Sequence, residues 1–505
     1  MRRIWWLVIA VAGIAGLYGL TRYYLAADTG FKPQPVLANG ARFETTPCWF
    51  KVPATQPVYC GWLHTAPVAA NTASVFQLPV VVLPYQGEDR QPDPMIYLAG
   101  GPGSSLWLDK NTLENYWLDW FKQKAPLKRD LVLFDQRGSG LSKPAMHCDG
   151  YRNWSISVLS NPGTPEENAQ RYYEVTRQCQ QQLYQQHLPV DELGTTHSAQ
   201  DVHDLLDALG YPQANLWGIS YGTRLAFEIQ SLYPERVRSM VLDSVYPPGE
   251  HLFREWPKLL NDSLERLFGY CANSHQCVLE NGDIRAHYYE LMKRLRQHPM
   301  IIPVDDLNLG NLRELRLNDE ILLAILFDAQ YVSHSLEVLP GLLRHLQENQ
   351  PEKVRGYIGS YLKRQLDDAF HDPIFWKVEC HDNPPIVLSS MQASLKALPQ
   401  LSYYIPLKYD VCEIWNKHKQ PHLLSMAKQP IQTPALILAG EDDPITPVQW
   451  AARTAEETFA EGKSYLFRFA GIAHGVLDSK PCTQELFVRF VQKPNERPRA
   501  DCRFD

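Results

Sequence analysis

From about residue 80 onward the chain switches repeatedly between two hydrophobic periods. Residues 80–83 and 95–98 are short apolar runs, and 131–134 is a continuous apolar run that breaks into Asp135-Gln136-Arg137-Gly138-Ser139-Gly140. Runs apolar on both faces and closed by a tight turn predict buried strands of a parallel sheet. Residues 197–209 change to a helical period: Val202, Leu205, Leu206 and Leu209 share one face, Ser198 is expected as the N-cap, and Gly210 with Pro212 beyond it stops the helix. A strand at 215–219, a helix from Tyr221 to about Leu232 and a strand at 240–245 then make a strand–helix–strand crossover.

The pair Pro247-Pro248 ends this alternation. From there to about Gln429 amphipathic pieces at 256–267, 287–295 and 340–347 follow one another with few strand-like runs. Alternation resumes with a strand at 435–439, a helix at 448–459, a strand at 464–469 and a final helix near 484–491. The pattern predicts an α/β fold, a doubly wound and mostly parallel sheet, interrupted by a large, mainly helical insertion. The expected organisation is a leader at 1–30, a first core part at 31–247, a helical cap insertion at 248–429 and a second core part at 430–505 that ends in a cysteine-bearing segment. Residues 86–94, rich in Pro, Asp and Gln, read as a solvent loop.

Composition narrows the functional classes. At 45% hydrophobic and 21% charged residues over 505 positions, the chain is an ordinary globular protein and not a disordered one. A net charge of −7 excludes any broad phosphate-binding surface, so no nucleic-acid partner is expected.

The N-terminus changes the picture more. Arg2 and Arg3 precede an uncharged apolar run at residues 4–20, the layout of an export signal. Leu25-Ala26-Ala27 lacks the small residues of a cleavage site at both ends, so an uncleaved anchor tethering the protein to a membrane through residues 4–20 stands as the alternative to a signal peptide. A periplasmic or extracellular location follows from either. Ten cysteines agree with it, falling into five sequential pairs: Cys48 and Cys60, Cys148 and Cys179, Cys271 and Cys277, Cys380 and Cys412, Cys482 and Cys502. Their connectivity is open from sequence alone. The tight group Cys271, His275 and Cys277 lacks the spacing of a zinc site, and neither a metal nor an organic cofactor is implied.

The chemistry concentrates at strand ends. Gly218-Ile219-Ser220-Tyr221-Gly222 lies directly between a strand and a helix, where a serine on a strained turn is presented outward and the flanking glycines avoid collisions with neighbouring elements. A nucleophilic serine requires a base and an orienting acid, in the chain order serine, acid, histidine for this architecture. The strand at 435–439 empties into Gly440-Glu441-Asp442-Asp443, and the strand at 464–469 empties into Ala470-Gly471-Ile472-Ala473-His474-Gly475. His187, His197, His203 and His371 have helical or loop surroundings and read as structural or surface residues. The glycine-rich turn Ala99-Gly100-Gly101-Pro102-Gly103 follows another strand and can bring a backbone N–H to an oxyanion, with Tyr221 N–H as the second donor. It lacks the spacing of a phosphate-cradling loop.

Together with Val-Leu-Asp-Ser-Val at 241–245 and the segment from Cys482 to Cys502, these motifs resemble the α/β-hydrolase serine peptidases of the prolyl iminopeptidase and tripeptidyl aminopeptidase family. The resemblance covers most of residues 45–505 and implies the α/β-hydrolase fold. It is weakest in the insertion, where Val378-Glu379-Cys380-His381-Asp382 and Cys412-Glu413-Ile414-Trp415 are the matching stretches. Carried onto this chain, it makes Ser220 the nucleophile, His474 the base and Asp443 the acid, because the family's acid stands three residues after the glycine that closes the strand, here Gly440. It makes the N–H groups of Gly101 and Tyr221 the oxyanion donors. Ala99 departs from the pattern, since many relatives carry histidine there.

The activity implied is hydrolysis of peptides from a free N-terminus, releasing one residue such as proline, or a tripeptide. Glu379 and Asp382 are the candidate carboxylates for the substrate's α-ammonium. An exported carboxylesterase or lipase using the same triad is the alternative, because fold does not settle substrate. A non-catalytic binding module on this fold typically loses a triad member, whereas all three positions are filled here. A carboxylate-nucleophile hydrolase is disfavoured by the serine at position 220.

Overall fold

The structure is a computed structural model. It describes residues 36–502 except 54–55, 68–75 and most of 385–428, of which 395, 398, 401, 411–416 and 424 are described. The leader expected at 1–30, with its apolar run at 4–20, lies outside the described residues.

In chain order the strands are β1 (Arg42–Thr46), β2 (Tyr59–His64), β3 (Gln77–Leu83), β4 (Met95–Leu98), β5 (Leu131–Phe134), β6 (Ala214–Ile219), β7 (Val237–Asp243), β8 (Met300–Pro303), β9 (Glu314–Leu317), β10 (Ala435–Gly440) and β11 (Ser464–Phe469). Nine of them form one sheet in the order β1-β2-β3-β5-β4-β6-β7-β10-β11. The first four in that order pair antiparallel and the rest parallel.

The continuous apolar runs are explained by burial on both faces. Val80, Val82, Ile96, Val132, Leu216 and Met240 pack into one core. Their neighbours Val81, Met95, Leu131, Leu133, Trp217 and Val241 pack into the other. The first layer is covered by helices Pro165–Gln185, Thr195–Leu209 and Tyr221–Leu232, the second by Leu118–Gln123 and Pro481–Gln492. Burying one such side chain contributes about 1.5–3 kcal/mol, so the two layers dominate the fold's stability.

Several local expectations are corrected. Helix Thr195–Leu209 begins before Ser198, which is a buried interior residue, and the N-cap position is Gly194. A Cβ at Gly194 would sit 3.1 Å from His381 Nδ1, so packing against the inserted region, not a capping hydroxyl, sets this helix start. The loop at 86–94 is not wholly solvent: Asp93 is buried, accepting from Arg129 Nε at 2.7 Å and from Asn215 Nδ2 at 2.7 Å. Strands β1 and β2 are not visible in the hydrophobic pattern: the edge strand β1 has one buried position among exposed and half-buried ones, and β2, between β1 and β3, is only six residues long and mixes Tyr, Gly and His with its apolar residues.

Between β7 and β10 the chain is helical as expected, with Leu252–Ala272, Ile284–Gln297, Asp319–Ala329, Ser335–Gln347, Arg355–Gln365 and Asp372–Asp382 among its helices. It also holds the antiparallel hairpin β8–β9. Disulfides join all five sequential cysteine pairs: 48–60, 148–179, 271–277, 380–412 and 482–502. The Cys271 and Cys277 sulfurs are therefore unavailable as thiolate ligands, and no cluster of metal-ligating side chains occurs among the described residues.

Candidate active site

Parallel register brings the chemistry to one end of the sheet. Leu98 pairs with Gly218, Ile219 with Asp243, Asp243 with Leu438, and Gly440 with Phe469. The residues that follow β4, β6, β7, β10 and β11 therefore emerge side by side, where open α/β sheets carry their sites.

Ser220 occupies the turn between β6 and helix Tyr221–Leu232 with φ 55° and ψ −123°, a backbone conformation that costs on the order of 1–3 kcal/mol. The flanking glycines are steric necessities. A Cβ at Gly218 would lie 2.4 Å from Gly222 O, and one at Gly222 would lie 2.0 Å from Leu98 O. The turn at 99–103 is drawn against the serine, since a Cβ on Gly100 would stand 3.3 Å from Ser220 Cβ. That turn is anchored by the loop after β5: Gln136 Nε2 donates to Ala99 O at 3.1 Å, and the buried Asp135 accepts from Leu106 N at 2.8 Å and Leu141 N at 2.9 Å.

Asp443 and His474 are brought together, with His474 Nδ1 2.8 Å from Asp443 Oδ2. Thr446 Oγ1 also donates to Asp443 Oδ2 at 2.6 Å, while Ile445 N and Thr446 N donate to Oδ1 at 2.9 Å each. Burial pushes the Asp443 carboxyl pKa upward, but His474 and these donors outweigh it and hold the pKa below the ordinary value. Burial likewise pushes His474 down, and the charge and hydrogen bond of Asp443, with the more distant Asp243, leave it raised. Of the neighbouring acids, Glu441 pairs with Arg468 at 3.3 Å, while Asp442 N donates to Ile472 O and its carbonyl accepts from Arg266.

Asp243, to which the sequence reading assigned no role, ties the two halves together. Its carbonyl accepts from Ser220 N at 2.9 Å. Its carboxylate accepts from Val476 N and Leu477 N at 2.8 Å each, and the adjacent Ser244 Oγ accepts from Gly475 N at 2.9 Å. One residue thus sets both the nucleophile turn and the loop following His474.

The inserted region reaches the same loops. Ser105 N donates to Ala369 O at 2.9 Å and His371 N to Gly103 O at 3.0 Å, while Gly140 N donates to His371 Nε2 at 3.0 Å. His371 is structural, as expected, but buried between two active-site loops. At the other side, His334 N donates to Gly471 O at 3.0 Å and Ala473 N to Ser333 Oγ at 3.1 Å.

Glu379 and Asp382 are both buried, and they differ. Asp382 is fully engaged, by the Thr195 hydroxyl, itself 2.7 Å from Tyr221 Oη, and by His381 Nδ1 at 3.0 Å. Glu379 Oε2 accepts from Tyr246 Oη at 2.9 Å and Asn383 Nδ2 at 3.1 Å, whereas its buried Oε1 has no hydrogen-bond partner among the described residues. Burial raises the Glu379 pKa to about 7 despite the nearby Arg224, which lies 3.6 Å from the Tyr246 ring centroid.

The alpha/beta hydrolase fold family matches residues 93–481, a span that contains the serine turn, the acid and the histidine. The chain belongs to that family. This hydrolase is 24% identical over 394 residues to the serine protease Hip1 of Mycobacterium tuberculosis, covering 72% of each chain. It is 29% identical over 204 residues to the tripeptidyl aminopeptidase of Streptomyces lividans, covering 38% of this chain and 36% of that one. Among solved structures it is similar to a proline iminopeptidase of Mycobacterium smegmatis at 16% identity and a TM-score of 0.39, covering 83% and 96% of the two chains. The peptidase family resemblance of the motifs is borne out by the first two relatives. The five disulfides of this hydrolase suit an oxidising compartment. No helix among the described residues is long and apolar enough to cross a membrane.

Proposed function

We propose that this hydrolase is an exported serine aminopeptidase that cleaves peptides from a free N-terminus through Ser220, His474 and Asp443. The observation that carries the proposal is the 2.8 Å His474–Asp443 bond, held through Asp243 to the strained Ser220 turn. With Nδ1 committed to Asp443, His474 Nε2 takes the Ser220 proton as Oγ attacks the peptide carbonyl. The N–H groups of Gly101 and Tyr221 receive the oxyanion. His474 then passes its proton to the departing amine as the C–N bond breaks, and water releases the acyl group. Each oxyanion donor contributes roughly 3 kcal/mol to the transition state.

Aminopeptidase character rests on Glu379, whose buried Oε1, without a partner among the described residues, suits a substrate ammonium. Asp382, with both oxygens engaged, holds Thr195 and through it the Tyr221 hydroxyl, and is the second carboxylate near the substrate amine. Export rests on the apolar segment at 4–20 and the five disulfides.

The test is a rate comparison on fluorogenic Pro, Ala and Ala-Ala-Pro peptides with free and acetylated N-termini, beside a short p-nitrophenyl ester. Cleavage that requires the free amine is expected, with the best-cleaved length separating single-residue from tripeptide release. Ester turnover without peptide cleavage would retain the triad and move the function to an esterase. Ser220→Ala should keep the fold and lose fluorophosphonate labelling and about 10⁶ in kcat.

A further inference from the structure

The loop that carries His474 is held from two directions. On its C-terminal side the N–H groups of Gly475, Val476 and Leu477 are taken by Ser244 and Asp243 of the core. On its N-terminal side the contacts come from the insertion, from the turn between helices Asp319–Ala329 and Ser335–Gln347. Ala473 N donates to Ser333 Oγ at 3.1 Å and His334 N donates to Gly471 O at 3.0 Å. Tyr331 from the same turn sets its ring against the His474 imidazole, with centroids 5.2 Å apart and planes at 66°. We propose that Ser333, a residue of the insertion some 140 positions from His474 in sequence, is a positioning residue that fixes the catalytic histidine through the Ala473 N–H.

A serine just before a helix ordinarily caps it. Here the N-cap position of Ser335–Gln347 is His334, in a left-handed conformation with φ 62°, and it makes no side-chain cap bond. The left-handed residue turns the chain so that the Ser333 hydroxyl meets Ala473 across the interface, 140 residues away in sequence. Gly471, with φ 71°, leaves the loop pliable at that point, so the two bonds from the insertion act where the backbone resists least.

The consequence is chemical because a general base acts only within hydrogen-bond reach of its proton, about 2.6–3.2 Å. A displacement of roughly 1 Å costs about 100-fold in rate. Loss of the Ser333 hydroxyl frees Ala473 N–H and lets the imidazole drift from both Asp443 and Ser220. The groups facing His474 are Asp443 from the loop after β10, Asp243 from the end of β7 and the Tyr331 phenol from the insertion. The two carboxylates keep the imidazole proton affinity high, so drift weakens their hold and lowers the midpoint of the acid limb.

The inference rests on the serine-hydrolase reading, and the experiment separates the two. Ser333→Thr and Ser333→Val have the same shape and differ in the hydroxyl alone, so the pair isolates the hydrogen bond even if Ser333→Ala disturbs packing. For each folded variant, kcat, KM, the pH profile of kcat/KM and the rate of fluorophosphonate labelling are measured beside Ser220→Ala and His474→Ala. The expected result is a kcat about 10-fold or more lower for Val than for Thr, with KM little changed, slowed labelling and an acid limb moved to lower pH. Equal kcat and equal acid limbs for Val and Thr, with Ser220→Ala and His474→Ala inactive, would overturn the role of Ser333 and leave the triad standing. Wild-type labelling of Ser220→Ala would overturn the triad itself.

Discussion

Replacing Glu379 by glutamine separates recognition from stability at a single buried group. The ordinary glutamate pKa of 4.5 is raised to about 7 here, with burial as the main cause and Arg224 opposing it. A shift of that size corresponds to roughly 3 kcal/mol, at about 1.4 kcal/mol per pKa unit. The direction follows from linkage. The folded state holds this proton more tightly than the unfolded chain, so the contribution to stability is intact below pH 4.5, declines as pH rises from 4.5 to about 7, and is lost above that. Glu379→Gln removes that decline. The difference in unfolding free energy between variant and wild type, from denaturant titrations at several pH values, should therefore grow in the variant's favour by about 3 kcal/mol between those limits.

Recognition should move the opposite way. A charge-assisted hydrogen bond to an ammonium is worth about 1.5–3 kcal/mol, so kcat/KM on peptides with a free N-terminus should fall roughly 10- to 150-fold, while ester turnover stays near wild type. Below about pH 7 the wild type itself should lose this preference as Glu379 protonates. Parallel stability curves for the two proteins, or an equal loss on peptides and esters, would refute the reasoning.

The acid limb of kcat/KM on the ester should have its midpoint above the ordinary imidazole value of 6.5, and Asp243→Asn should move it to lower pH while costing about 1–3 kcal/mol of stability for the two N–H groups it serves, read from pH–rate profiles and melting. Gly222→Ala should fail to yield native protein, because its Cβ would stand 2.0 Å from the Leu98 carbonyl oxygen; soluble expression and circular dichroism check this. Removing the Cys380–Cys412 disulfide by a double serine substitution should cost about 2–4 kcal/mol and raise KM for free-amine peptides more than for the ester, since the bridge pins the helix that carries Glu379. His371→Ala should lower kcat with little change in KM by releasing Gly140 N–H and the Met146 carbonyl from the imidazole, as measured by steady-state kinetics on the ester.

The elements legible in the sequence are those whose cause is local. The runs at 80–83, 95–98 and 131–134 announce strands because both faces are buried, which requires apolar residues at every position. The Ser220 turn is legible because Gly218 answers a collision with Gly222 inside one strand–turn–helix unit, and Asp443 because the resembled family places its acid three residues after the strand-closing glycine, here Gly440. Strands β1 and β2 and hairpin β8–β9 were not, since strands of four to six residues that are partly exposed, or that carry polar and glycine residues among their apolar ones, leave too few apolar positions to establish a period.

The tertiary structure alone decided how these pieces are held. That Asp243 serves both Ser220 and the His474 loop, that Asp382 is occupied by Thr195, and that Ser333 and His371 bind active-site loops all depend on hydrogen bonds between residues far apart in the chain. A side chain bonded to a distant backbone N–H imposes no periodicity and no spacing on its own neighbourhood. Serine, aspartate and histidine in such roles look, in sequence, like any polar residue of a loop. Local sterics and burial write themselves into the order of residues; long-range polar contacts appear only when the chain has folded.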